Sequence, residues 1–299
     1  MTPETRQGPR SLRSEAEAAA AHFPALMVEA ERVAHTVAAG LHGRRRAGPG
    51  ESFWQHRAYA FGDPVNAIDW RQSARAADRL YVRQNEWEAA AAVWIWRDRS
   101  RSLDYASSRS LPTKGRRADV LALALAILLA EAGERIGLLG MHSRAFHGRA
   151  APSRILEALT AGGEPEAAST PPSAQLAPGA RAALISDFFD DPARLDCAVA
   201  SYGASGAKGV LVQVVDPAEE EFPFRGRTEF RDLESRDRLT FGEAGSLGQV
   251  YRTQFAAHRD AVAGVARRFG WTFIAHRADL PAQSALLALY VALSDMRAK

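Results

Sequence analysis

Two short stretches of this chain place carboxylates and hydroxyls at spacings that suit a hard metal ion. The first is Asp98-x-Ser100-x-Ser102, which follows the apolar, aromatic run at 90–96. The second is Ser186-Asp187, at the end of the apolar run 181–185. A small divalent cation such as Mg²⁺ takes oxygen ligands in an octahedron, keeps several waters and uses only one or two carboxylates. These side chains, brought together, would supply such a set. Because the serines are neutral, the ion would keep positive charge that an acidic side chain of another protein could satisfy. Arg97, Arg99 and Arg101 alternate with the oxygen-bearing residues and open two other readings. They can pair with Asp98 or Asp104 so that no metal binds, or clamp an anion beside one. A positive charge ~8 Å from a divalent ion costs roughly 4 kcal/mol at an effective dielectric of ~20 and about 1 kcal/mol in water. The direction in which Arg99 and Arg101 extend therefore decides their effect.

For the two stretches to meet, both must leave the same edge of one sheet. From residue 88 onward short apolar runs alternate with longer helical patterns, which is the signature of a parallel sheet covered by helices. Strands are predicted at 90–96, 135–141, 181–188, 208–216 and 272–277, and helices at 117–133, 152–162, 192–204, 245–270 and 281–298. The Pro- and Ser-rich stretch 162–180 reads as a surface loop. Residues 215–243, polar and rich in turn residues, carry two short strand candidates that would make an edge hairpin. Upstream, a helix is expected within 14–39, a Gly- and Arg-rich break follows, and Gly62-Asp63-Pro64 marks a turn. In open parallel sheets ligands sit outside the carboxyl ends of the strands, where Asp98 and Asp187 fall.

Composition narrows the function classes. The apolar fraction of 46% and charged fraction of 24% are those of a globular protein. The longest uncharged apolar stretch, 120–130, is far short of the roughly 20 residues a membrane span needs, and the N-terminus lacks the pattern of a secretory signal. A cytoplasmic protein is expected. Cys197 is the single cysteine, so no internal disulfide or cysteine metal site exists; a small core residue is the expected role. The net charge of +3 rests on 35 arginines and only three lysines, Lys114, Lys208 and Lys299, a compositional bias rather than a phosphate-binding surface. The basic clusters at 44–46 and 114–117 are not interleaved with aromatic residues that could stack on bases. His142 and His147 are five apart, a spacing that suits neither one helix face nor one strand face, so loop histidines are expected. No phosphate-binding glycine loop and no nucleophile elbow is present. Asp69 and Arg71 are expected to cap a turn, and Trp54, Trp70, Trp87, Trp94 and Trp96 to fill the contact between the N-terminal segment and the sheet.

The motif and its surroundings resemble two known groups. Asp98-x-Ser100-x-Ser102 after a strand, an alanine- and leucine-rich helix, the strand GERIGLLGM and a later ISD look like the metal-ion-dependent adhesion site of von Willebrand factor A-like domains. Arg57-x-Tyr59-x-x-Gly62-Asp63, Ile68-Asp69-Trp70-Arg71, Ser73-Ala74-Arg75 and Leu80-Tyr81-Val82-Arg83 resemble the signature of bacterial proteins in domain-of-unknown-function family 58. The resemblance implies an α/β, doubly wound, mostly parallel sheet over 88–299, preceded by an extension of helix and short strands over 1–87 that carries the signature block. It also implies that Ser100 and Ser102 bind a metal directly, with Asp98 and Asp187 binding directly or through water. Complete sites take a threonine from a middle loop; here that loop offers Ser153 or Ser143 instead.

The expected function is thus a non-enzymatic, metal-dependent protein-interaction module. The resemblance implies that it works with a MoxR-type AAA+ ATPase and an acidic client in protein maturation or remodelling. Two other classes fit parts of the sequence: a Mg²⁺-dependent phosphoryl-processing enzyme, with the arginines as anion clamp, and an arginine-rich nucleic-acid-binding protein.

Overall fold

The computed structural model describes residues 25–39, 53–59, 69–75, 80–85, 92–161, 169–233 and 237–296. The chain divides into two compact units, residues 43–90 and the remainder. The smaller unit pairs β1 (Phe53–Ala58) antiparallel with β2 (Tyr81–Asn85). Between them lies the single turn α2 (Trp70–Ser73), which Asp69 opens as the sequence predicts: its carboxylate accepts from the Arg71 N–H at 3.1 Å. The Ser73 hydroxyl donates to the Asp69 carbonyl and accepts from the Tyr81 N–H at 2.8 Å, tying turn to strand. Trp70 is exposed rather than packed. The predicted turn at 62–64 lies outside the described residues, as do Trp87 and the side chain of Trp54.

The larger unit is a doubly wound α/β sheet. Its strands are β3 (Ala92–Arg97), β4 (Arg135–Leu138), β5 (Arg181–Ser186), β6 (Lys208–Val215) and β9 (Thr272–Arg277), all parallel, in the order β4-β3-β5-β6-β9. The five expected strands and the helices between them are present. β5 is buried along its whole length and β6 at all but its first residue, because central parallel strands are covered on both faces and must be apolar throughout. On one face α1 (25–39), α3 (Lys114–Glu131), α4 (Ala151–Thr160) and α8 (Ala282–Asp295) share a core. On the other, α5 (Pro192–Gly203), α7 (Gly248–Arg268) and residues of the segment before β5 share a second. α1, which the sequence places in the N-terminal extension, contributes Leu26, Ala30, Val33 and Val37 to the first core, a stripe at the three- and four-residue spacing of one helix face. Among the described residues no helix is long and apolar enough to cross a membrane.

The segment after β6 forms α6 (Pro217–Glu221) and then the hairpin β7 (Thr228–Arg231) and β8 (Arg238–Phe241). The hairpin is a separate two-stranded sheet, not an added edge of the main one. Cys197 is likewise not a core residue. Leu195, Val199 and Tyr202 take the buried face of α5 and leave Cys197 exposed.

One glycine is fixed by close packing. A Cβ on Gly209, near the start of β6, would lie 2.5 Å from the Trp271 ring and 2.6 Å from the Ala182 carbonyl oxygen. The carbonyl belongs to the neighbouring strand and cannot retreat. Gly209→Ala is expected to destabilise the fold by about 1–3 kcal/mol, measured as a lower midpoint in urea; an unchanged midpoint would show that β5 and β6 can spread there.

Candidate functional site

The sheet order makes a topological switch point between β3 and β5, since the connection from β3 leads outward to β4 and the next returns past β3 to β5. In open α/β sheets the crevice at such a point is where ligands bind. Asp98 and Asp187 are the first residues beyond these two strands. The Asp98 N–H donates to the Ile185 carbonyl, continuing the β-ladder by one step, and the carboxylate that follows is fully buried. Its Oδ1 accepts from the Ser100 N–H at 2.7 Å and its Oδ2 from the Ser186 hydroxyl at 2.5 Å. The Ser186 hydroxyl in turn accepts from the Phe188 N–H at 2.9 Å. The Ser100 and Ser102 hydroxyls face each other at 2.8 Å, with Ser100 buried and Ser102 half-buried at the start of the 3₁₀ turn Arg101–Asp104.

Asp98, Ser100, Ser102 and Asp187 are therefore brought to one edge. Among the described residues, both hydrogen bonds to the Asp98 carboxylate come from uncharged donors. Burial without a countercharge pushes its pKa from 3.8 up to about 6, against the lowering effect of the Ser186 and Ser100 bonds. Ser153 is exposed in the first turn of α4 and Ser143 is exposed in the loop after β4. Neither hydrogen-bonds to the other four candidates among the described residues.

The backbone after β5 is strained. Phe188 takes φ = +53°, a left-handed conformation costly for a bulky residue and characteristic of functional sites. The turn holds because the Phe188 ring is buried in the second core, its N–H is bonded by Ser186, and its carbonyl meets His258 Nε2 at 2.6 Å. Gln213, at the end of β6, donates from Nε2 to the Asp187 carbonyl at 2.9 Å.

Sequence reasoning missed two participants. Lys114, the first residue of α3, is buried at 1% exposure and donates to Asp187 Oδ2 at 2.8 Å and to Glu219 Oε1 at 2.5 Å. Its ammonium also lies 4.7 Å from the centroid of the Phe189 ring. Burial by itself would lower the lysine pKa, but the two carboxylates outweigh it and the net direction is upward. Each carboxylate has only a share of that cation, and burial pushes Glu219 above the ordinary range in spite of it. A signal existed. In a chain with 35 arginines, a lysine opening a core helix selects a slender ammonium where a guanidinium does not fit, and Asp216-Pro217-x-Glu219 reads as a capping box. That box forms: Asp216 caps α6 and Glu219 Oε2 accepts from the Asp216 N–H at 2.8 Å.

Among the described residues neither Arg97 nor Arg99 bonds to a carboxylate or hydroxyl of the site. Arg97 pairs with Asp119 at 2.7 Å and donates to the Asp98 carbonyl. Arg99 reaches the Ala161 carbonyl at the end of α4 at 2.9 Å, where a cation is favoured. Arg101 is exposed. The basic cluster at 114–117 is also structural: Lys114 is buried, Arg116 pairs with Glu29 and Arg117 donates to the Ala278 carbonyl. His142 is a loop residue whose Nδ1 accepts from the Leu138 N–H. Among the described residues no three His, Cys, Asp or Glu cluster as metal ligands, so any ion here rests on hydroxyls and at most two carboxylates.

No curated protein matches the chain. Among solved structures, the conserved hypothetical protein BatB from Bacteroides thetaiotaomicron is similar at 14% identity, over 70% of this chain and 100% of that one, with a TM-score of 0.41. A family model described as "Protein of unknown function DUF58" matches residues 55–261, most of the chain and the whole of the signature block from Arg57 to Arg83, and the chain belongs to that family.

Proposed function

We propose that this protein is a non-enzymatic interaction module that holds a divalent cation, Mg²⁺ or a similar ion, at the switch-point edge. Ser100 and Ser102 would bind the ion, and Asp98 and Asp187 would stand behind them. The carrying observation is the fully buried Asp98 carboxylate, which no described cation touches, beside two hydroxyls 2.8 Å apart. Adjacent corners of an octahedron with metal–oxygen distances of 2.0–2.1 Å are about 2.9 Å apart, so the serine pair already has the spacing of two neighbouring ligands. A cation there relieves the cost of the buried carboxylate, and neutral hydroxyl ligands leave it charge with which to engage a partner's carboxylate. The commitment of Arg97 and Arg99 to other groups supports this reading over a phosphoryl clamp. The resemblance extends it to a MoxR-type AAA+ ATPase as the partner system and an acidic client, in protein maturation or remodelling.

The test is metal dependence. Mg²⁺ or Mn²⁺ is expected to raise the melting temperature of the purified chain and to be required for co-purification with such an ATPase. At a concentration 100 times its Kd the ion adds about 2.7 kcal/mol of stability. Asp98→Ala is expected to abolish both effects while leaving the circular dichroism unchanged. A chain that ignores both ions and does not bind the ATPase would refute the proposal.

A further inference from the structure

The proposed metal chemistry leaves Lys114 unused, although its ammonium contacts one of the carboxylates involved. It lies at the N-terminal end of α3, where the helix dipole disfavours a cation, and it is buried, which is costly for an ammonium without partners. Its two partners are Asp187 and Glu219. Both oxygens of Asp187 are engaged, Oδ2 by the ammonium and Oδ1 by the Phe189 N–H at 3.3 Å. A carboxylate that neutralises one cation has less to offer a second, and two cations a few ångströms apart repel. Glu219, by contrast, is fixed independently of the lysine through the capping box of α6. Asp216 Oδ2 holds that element to the loop ahead of α3 by accepting from the Ser107 N–H at 2.9 Å.

We propose that Lys114 is a tethered competitor of the divalent cation: a positioning residue that lowers the metal affinity of the Ser100–Ser102 edge by holding Asp187, with Glu219 as the seat that retains the ammonium when Asp187 turns to the ion. The inference rests on the metal reading above. It makes the free chain a weak binder of the ion, so that a partner's carboxylate is needed to complete the site.

Mn²⁺ binding, followed by the paramagnetic resonance of the free ion, tests it in three variants beside the wild type. Lys114→Met/Glu219→Gln removes the competitor and leaves the formal charge of the three side chains unchanged, and it is expected to bind Mn²⁺ about tenfold more tightly. Glu219→Gln alone leaves the ammonium wholly on Asp187 and is expected to bind several-fold more weakly than the wild type; it keeps the buried lysine paired and so decides the matter if the double variant does not fold. Adding Asp98→Ala to the double variant is expected to remove the gain. Equal Mn²⁺ affinity in the wild type and the first two variants overturns the competition and leaves the metal reading standing. Absence of Mn²⁺ binding in every variant overturns both, and a gain that survives Asp98→Ala overturns the competition by placing the ion elsewhere.

Discussion

Lys114→Met is expected to lower the unfolding free energy by about 3–5 kcal/mol at neutral pH, because removing one partner of a buried ionic group leaves the other charges uncompensated. Two carboxylates, Asp187 at 3% exposure and Glu219 at 14%, lose their shared cation, and among the described residues no other cation pairs with either. Urea unfolding in EDTA measures the loss. Glu219→Gln added to the Met variant should recover a large part of it, since only one bare carboxylate then remains. The lysine pKa is raised in the folded chain. Its stabilisation is therefore complete below the ordinary value of 10.5 and is lost only as the pH rises through the higher folded value. The defect should accordingly be undiminished from pH 7 to 9. A Met variant as stable as the wild type would show that the cluster is neutral by other means.

The second large effect is the pH dependence removed by Asp98→Asn. The Asp98 pKa in the folded chain, about 6, lies above its ordinary 3.8. Its contribution is fully present below pH 3.8 and is lost as the pH rises through 6. Buried His276 acts oppositely: burial, aided by the charge of Arg117, lowers its pKa from 6.5 to about 4, so stability falls as the pH drops through that window. The two slopes oppose each other in the wild type between pH 4 and 6. Subtracting wild-type from Asp98→Asn stability cancels the histidine and any fixed hydrogen-bond penalty of the amide. In metal-free buffer this difference should grow in favour of the variant by about 2 kcal/mol from pH 4 to 7, since each pKa unit is worth about 1.4 kcal/mol and part of the change already lies below pH 4. A difference that is flat with pH would show that Asp98 is not held uncompensated. In saturating Mg²⁺ the advantage should vanish, because only the wild-type carboxylate gains the ion.

Much of the fold was legible because its signals are local. Strands β3, β6 and β9 are short runs rich in β-branched or aromatic residues, β5 is a short apolar run of alanine, leucine and isoleucine, and α3 is an alanine- and leucine-rich stretch opened by Thr113, whose side chain accepts from the Arg116 N–H. Each propensity acts within a few residues and agrees with its neighbours. The isolated position of the β7–β8 hairpin and the exposure of Cys197 were not legible, since both depend on which face a distant element covers.

Residue order and short-range patterning were enough to specify the alternation of strands and helices, the position of Asp98, Ser100, Ser102 and Asp187 at strand ends, and the family signature. Long-range packing settled which strand ends are neighbours, that Arg97 is committed to Asp119 and Arg99 to the Ala161 carbonyl, and that Lys114 reaches Asp187 from 73 positions away and Glu219 from 105. Such choices depend on long-range packing and on the balance between desolvation and charge pairing, which no local pattern encodes.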